Sequence, residues 1–179
     1  MTAVSPTVEG KENIQSPLVN AATWGLYSDA SRVGMGGVYL DRWFSVAWPS
    51  SFSEKHINVL ELFAITTAIF TWGGHWRDQD IVIYTDNKPI TDICLTGATK
   101  NKDIMSLLRH IFYFLAQRNT NVRLEHVYGY NNSRADSLSR LQVHHFKELT
   151  PAARQRPDDP PDMIWTLFAS SETATSPPP

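Results

Sequence analysis

The first half of the chain contains three short runs of aromatic and β-branched residues. They cover residues 24–28, 37–40 and 43–48, and glycines and the pair Asp41-Arg42 separate them. Runs of this length and composition, divided by turn residues, are typical of β-strands. We therefore expect three consecutive antiparallel strands.

The hydrophobic pattern changes to a helical spacing between residues 56 and 72. Leu60, Phe63, Thr67 and Phe70 recur at intervals of three or four and form one stripe, and Gly73-Gly74 follows it. A stripe of this period that stops at glycine indicates a helix and its C-terminal end. This segment is predicted to be the longest helix.

The second half alternates between the two patterns. Residues 81–85 form a continuous apolar run, which suits a strand that is buried on both faces. A short helix is expected after Pro89, a longer one over 104–117, a strand over 122–127 and a last short helix over 135–141. The predicted order is β-β-β-α-β-α-α-β-α, an α/β protein with a mixed sheet flanked by helices.

Proline content divides the chain into one domain and two ends. Seven of the 11 prolines lie in residues 151–179. Residues 1–20 are polar and show no periodicity. A chain of 179 residues has room for one domain of ordinary size. We expect that domain over 21–148, a disordered N-terminal segment over 1–20 and a disordered, proline-rich tail over 149–179.

Charge and cysteine content limit the classes of binding partner and the cellular compartments that the sequence indicates. The predicted domain has 13 Lys or Arg against 12 Asp or Glu, so a nucleic-acid partner is not indicated by net charge. Cys94 is the single cysteine, which favours a reducing compartment. No run approaches the roughly 18 uninterrupted apolar residues of a membrane span. We expect an intracellular protein, cytoplasmic or nuclear, with no membrane partner.

Four acidic residues lie at strand and helix ends. Asp29 ends the first predicted strand, Glu61 lies one turn into the long helix, Asp86 ends the buried fourth strand and Asp136 opens the last helix. Any one of them alone would be an ordinary surface acid. Together, four acids would repel one another without a cation, whereas a hard divalent ion such as Mg²⁺ prefers oxygen ligands.

The sequence around these acids resembles a known family. YSDASRVGMGG surrounds Asp29, LELFA surrounds Glu61, YTDN contains Asp86 and NNSRADSLSR contains Asp136. In this order the motifs resemble the ribonuclease H family, most closely the domain found in retroelement reverse transcriptases of the DIRS-like group. The resemblance implies a ribonuclease H-like fold, a five-stranded mixed sheet with three antiparallel strands and then two parallel ones.

The resemblance also implies an activity. Members of this family hydrolyse the RNA strand of an RNA:DNA hybrid with two Mg²⁺ ions, for which Mn²⁺ may substitute, and need no small-molecule cofactor. Carried over by motif, Asp29 bridges both ions and Asp136 holds the ion that activates water. Glu61 and Asp86 hold the other ion. A reverse transcriptase domain, in cis or in trans, is the implied protein partner.

Further residues near the acids are candidates for substrate contact. Polar side chains that could bond phosphates or 2′-hydroxyls are Ser28, Ser31, Asn87 and Asn132. Cations that could meet phosphates are Lys100, Lys102, Arg109, Arg134 and Arg140. Tyr128-Gly129-Tyr130 stands where many cellular members of the family carry a histidine, so slower turnover is expected.

Two other functions remain open from the sequence. A retroelement-derived binding module could keep the fold without cutting, and the nearly neutral domain is compatible with that hypothesis. A transposase, integrase or junction resolvase could share the fold. The glutamate on the first long helix after three strands favours ribonuclease H over this third class.

Overall fold

The computed structural model describes residues 25–168, and within them the predicted elements form. The strands are β1 (Leu26–Ala30), β2 (Gly34–Tyr39), β3 (Arg42–Ala47), β4 (Asp80–Thr85) and β5 (Asn121–His126). The helices are α1 (Ile57–Trp72), α2 (Lys88–Thr96), α3 (Lys102–Ala116), α4 (Ser133–Ser139) and α5 (Val143–Leu149). Short 3-10 turns cover Ser50–Phe52, Gly73–His75, Gly129–Asn131 and Asp162–Thr166. Helix α5 was not predicted. The N-terminal segment 1–20, Trp24 and the end of the tail lie outside the described residues.

The strands form one mixed sheet in the order β3-β2-β1-β4-β5. The pairs β1–β2 and β2–β3 are antiparallel, and β1–β4 and β4–β5 are parallel. This is the predicted sheet of three antiparallel strands followed by two parallel ones. Strand β1 is central, and its carboxyl end points to the same edge as that of β4 because the two run parallel.

Helices cover both faces of the sheet. On one face, α1 and α3 enclose the larger core with Leu26, Met35 and Phe44 of the antiparallel strands. On the other face, α4 and α5 cover Tyr27 and Trp43, with Leu138 and Phe146 as the main helical contacts. Alternate residues of a strand point to opposite faces, so each antiparallel strand contributes to both cores.

Helix α1 is the central core helix. The segment Ile57–His75 is apolar and long enough to cross a membrane by length and composition, and 72% of it is buried inside the protein. A buried core helix of this length needs apolar residues on every side, because it touches the sheet, α3 and the C-terminal segment. Its composition is therefore explained by its position in the domain.

Helix α4 can lie close to β2 because the strand has a glycine, Gly36, directly beneath the helix. A Cβ placed on Gly36 would come within 2.4 Å of the Leu138 Cβ and 2.8 Å of the Ala135 carbonyl oxygen. Any residue with a Cβ atom would clash at this position, so only glycine fits. The glycine thus brings α4, which carries Asp136, down onto the sheet beside β1.

The tail differs from the disorder expected over residues 149–179. Residue 149 ends α5, and residues 150–168, here called the C-terminal strap, pack along β3 and then on the larger core. Arg154 N donates to Asp41 O at 2.8 Å, and Asp158 N donates to Trp43 O at 2.7 Å. The strap thereby covers the backbone of an edge strand, which otherwise exposes unpaired donors and acceptors.

Side chains of the strap complete its attachment. The Asp158 carboxylate accepts from Arg42 Nε at 2.6 Å and from Trp72 Nε1 at 2.7 Å. Ile164 and Leu167 are buried in the larger core. Proline-rich composition indicates an irregular backbone, but this segment is held by specific hydrogen bonds and by a few apolar side chains near its end, without a periodic apolar face. For this reason the hydrophobic pattern did not reveal it.

Candidate active site

Three of the four predicted acids meet at one edge of the sheet. Asp29 is the fourth residue of β1, and Asp86 directly follows β4. Because β1 and β4 are parallel neighbours, these two acids emerge at the same edge. Glu61 reaches the site from the second turn of α1, which packs across β1.

The three carboxylates are close enough to share one cation. One oxygen each from Asp29, Glu61 and Asp86 lies within 4.8 Å of the others. Asp29 is 5% exposed and Glu61 is 6% exposed. Among residues 25–168, Glu61 Oε2 is buried and has no hydrogen-bond partner, so the site contains an unsatisfied carboxylate oxygen. Clustered carboxylate oxygens of this kind fit a hard divalent ion such as Mg²⁺ or Mn²⁺.

The raised pKa values of the site show that holding these acids together in their ionised forms is unfavourable. Burial raises the pKa of Asp29 to about 7, and the nearby charges of Asp86 and Asp136 act in the same direction. Burial also raises the pKa of Glu61 to about 9, with further contributions from Asp29 and Asp86. A bound cation would favour the ionised forms, because an opposite charge at short range offsets both effects.

These raised pKa values predict a pH dependence of stability for the metal-free protein. The ordinary pKa values are 3.8 and 4.5, so between about pH 4 and pH 9 the folded protein holds protons that the unfolded chain has released. The free energy of unfolding should therefore fall as pH rises through this window. Glu61→Gln should flatten that slope in urea melts run with a chelator. The exposed acid replacement Glu54→Gln is the control, and an equal slope in wild type and Glu61→Gln would contradict the prediction.

Asp136 lies beside the group of three rather than in it. It sits in the first turn of α4, and its Oδ1 accepts from Arg140 Nε at 2.8 Å. Burial is the main cause of the raised pKa of Asp29, and the charge of Asp136 adds to it. The structure thus brings the carboxylates of Asp29, Glu61 and Asp86 together. Asp136 lies outside this group, in an ion pair with Arg140.

Two of the predicted substrate contacts are buried. Ser28 and Asn132 have no exposed surface, so neither side chain faces the solvent from which a substrate would arrive. Asn132 Nδ2 lies 3.5 Å from Asp29 Oδ1, 3.4 Å from Asp86 Oδ1 and 3.3 Å from Ser28 O. An amide donor between two carboxylates reduces their repulsion. The structure places Asn132 behind the acids as a support, which differs from the expected contact with substrate.

The other two polar candidates also have structural partners. Ser31 Oγ donates to Ser139 O at 2.7 Å and accepts from Val33 N at 3.1 Å, so it fixes the turn after β1. Asn87 caps α2 by accepting from Ile90 N at 3.0 Å, and its Nδ2 donates to Asn58 Oδ1 at 3.1 Å. Both side chains are half-buried at the rim of the site.

The predicted cations divide into two groups. Arg140 pairs with Asp136, and the Arg134 guanidinium lies 4.8 Å from the centre of the Tyr27 ring. Lys100, Lys102 and Arg109 are exposed on or before α3. Within residues 25–168, two supports that the sequence analysis did not identify are Asn58, whose Oδ1 accepts from Asn87 Nδ2, and Ser139, whose Oγ donates to Asp136 O at 2.9 Å and whose carbonyl accepts from Ser31 Oγ. Ser139 lies within the motif NNSRADSLSR, whereas Asn58 lies outside the four motifs, and no helical or strand periodicity singles out either residue.

Comparisons with known proteins agree with this architecture. No protein-family model matches the chain, and no curated protein matches it. Among solved structures, the chain is similar to ribonuclease H1 from the halophilic archaeon Halobacterium salinarum NRC-1, with a TM-score of 0.52 and 19% identity over 68% of this chain and 97% of that one. It is also similar to LC11-RNase H1, isolated from compost by a metagenomic approach, with a TM-score of 0.54 and 20% identity over 70% and 96% of the two chains.

These similarities confirm the predicted ribonuclease H-like fold. They cover nearly the whole length of the two solved proteins, whereas about a third of this chain lies outside each match. At such identities the similarity shows the fold, and the fold alone does not specify the chemistry of the site.

Proposed function

We propose that this protein hydrolyses the RNA strand of RNA:DNA hybrids with divalent metal ions. The observation that carries the proposal is the convergence of Asp29, Glu61 and Asp86 within 4.8 Å. They meet at the carboxyl edge of a sheet whose strand order matches that of solved ribonuclease H1 proteins. Acidic side chains without a ligand are not expected to be buried next to two other acids, because each ionised carboxylate raises the free energy of its ionised neighbours.

The residues have distinct parts in this proposal. Glu61 and Asp86 would hold one ion, Asp136 would hold a second, and Asp29 between them would contact both. Two such ions would activate the attacking water and stabilise the leaving oxygen of an in-line displacement at phosphorus. Asn132 keeps Asp29 and Asp86 in place through its amide. Arg140 neutralises Asp136 in the absence of an ion.

The proposed biological context is retroelement reverse transcription. The motif resemblance supports this context, together with an intracellular site of action in the cytoplasm or nucleus. With 13 basic and 12 acidic residues in 21–148, the domain can form few phosphate contacts, and phosphate contacts supply much of the affinity for nucleic acid. A reverse transcriptase domain in cis or in trans would supply the missing contacts and raise the effective concentration of the hybrid.

Cleavage of an end-labelled RNA:DNA hybrid tests the function directly. With Mg²⁺ or Mn²⁺ we expect cut RNA with 5′-phosphate and 3′-hydroxyl ends, an intact DNA strand, and no cutting of single-stranded RNA or duplex DNA. A chelator should stop the reaction, because the carboxylates alone activate no water. Binding of the hybrid without cleavage in either metal would favour the alternative of a catalytically silent module.

A further inference from the structure

Two tyrosines on the turn after β5 expose most of their ring surface beside the acids. Tyr128 is 67% exposed and Tyr130 is 76% exposed. They flank Gly129 in the 3-10 turn Gly129–Asn131, which leads from the sheet to α4. Neither ring belongs to either hydrophobic core of the described residues. Core packing therefore does not account for these two large side chains.

The two rings are held in a defined arrangement. Their planes are parallel within 4°, and their centres are 5.9 Å apart. His126 meets Tyr128 edge-on, with ring centres 5.9 Å apart. The turn beneath them is closed by Asn131 N donating to Tyr128 O at 2.8 Å and Asn132 N donating to Gly129 O at 2.9 Å. The turn and the ring contacts thus place the two rings side by side, and an arrangement held in this way before binding lowers the entropy lost on binding.

The same turn is in direct contact with the acid cluster. A Cβ placed on Gly129 would lie 3.4 Å from Asp86 Oδ2, so the backbone between the tyrosines passes against that carboxylate. Asn132, one residue after the turn, lies between Asp29 and Asp86. The Tyr128–Tyr130 pair therefore stands at the rim of the place where a phosphodiester would be cut.

The charge around the acids favours an uncharged contact at this rim. Arg140 is paired with Asp136, and Arg134 lies over Tyr27. Both nearby cations thus have partners within the protein. A flat aromatic face can bind a nucleobase by stacking, and this attraction needs no positive charge.

We propose that the Tyr128–Tyr130 pair is a stacking platform for an unpaired nucleotide beside the hybrid. Inside a duplex the faces of the bases are covered by their neighbours, whereas an unpaired nucleotide at a hybrid end or junction has a free face. The platform gives the protein a preference for hybrids that carry a single-stranded extension. This inference rests on the proposed function, because it takes the acids as the cleavage site.

The test compares a blunt RNA:DNA hybrid with the same hybrid carrying a single-stranded extension on either strand. Fluorescence anisotropy of the labelled nucleic acid gives each Kd, and the Asp86→Asn background prevents cleavage during the measurement. We expect an extended hybrid to bind about tenfold more tightly than the blunt hybrid. When Tyr128→Ala and Tyr130→Ala are combined, blunt and extended hybrids should bind with equal affinity. Tyr128→Phe with Tyr130→Phe should keep the preference, because the ring and not the hydroxyl stacks.

A matched control removes two exposed aromatic residues elsewhere. Phe112→Ala with Tyr113→Ala, on α3, should keep the preference for the extended hybrid, and circular dichroism should show that all variants are folded. Equal affinity of the Asp86→Asn protein for blunt and extended hybrids overturns the inference. An unchanged preference in the double alanine variant also overturns it, as does a lost preference in the double phenylalanine variant. Failure of the wild type to cut any hybrid with Mg²⁺ or Mn²⁺ is a separate outcome, and it contradicts the proposed function.

Discussion

Replacing Asp86 by asparagine should lower the rate of hybrid cleavage by at least about 100-fold while the protein stays folded. The substitution removes one ligand charge and almost no volume, and a metal ion supplies several kcal/mol of transition-state stabilisation. Single-turnover cleavage of a labelled hybrid at saturating Mg²⁺ measures the effect. A rate within a few-fold of wild type would show that Asp86 does not hold the reactive ion.

The same variant should melt at a slightly higher temperature than wild type when no metal is present. The charge of Asp86 raises the pKa of both Asp29 and Glu61, so its removal relieves repulsion in the folded state. Added Mg²⁺ should stabilise wild type more than the variant, since the variant has lost a ligand. Asp159→Asn, at an exposed acid of the strap, is the control and should alter neither cleavage nor the response to metal.

Truncation after Leu149 should destabilise the protein by on the order of 5 kcal/mol, which is comparable to the whole stability of many domains. The deletion exposes the surface that Ile164 and Leu167 cover, at about 1.5 to 3 kcal/mol for each side chain. It also leaves Arg42 and the Trp72 indole without the Asp158 carboxylate. The melting temperature should fall by roughly 10 to 20 °C in calorimetry.

Two further variants locate this effect in the strap. Truncation after Phe168 removes residues 169–179, whose sequence has no periodic apolar positions, and should leave the melting temperature nearly unchanged. Asp158→Ala should produce an intermediate loss, because it removes the hydrogen bonds and keeps the apolar contacts. If the long truncation melts like the full chain, the packing of residues 150–168 contributes no stability, as would be true of a disordered tail.

Periodicity and local composition were sufficient to predict most of the fold. The helical stripe of residues 56–72 corresponds to α1, and the apolar run 81–85 corresponds to β4. Helix α1 buries the stripe residues Leu60, Phe63 and Thr67 although it is buried on nearly every side, and β4 buries Ile83 and Thr85 at the strand interval of two, so the sequence carries most of this information locally. The position of Asp86 follows from the same logic, since a residue after a central parallel strand lies at the ligand-binding edge of the sheet.

Contacts between distant parts of the chain decided what periodicity could not predict. Asp158 reaches Arg42 across 116 positions and Asn132 reaches Asp29 across 103, and neither pair leaves a periodic trace. The sequence thus determined which acids stand at strand and helix ends. Only the tertiary structure buried Asn132 behind the acids and bound a proline-rich segment to β3. These arrangements depend on single hydrogen bonds between remote residues, whose partners are chosen only when the sheet and helices are assembled.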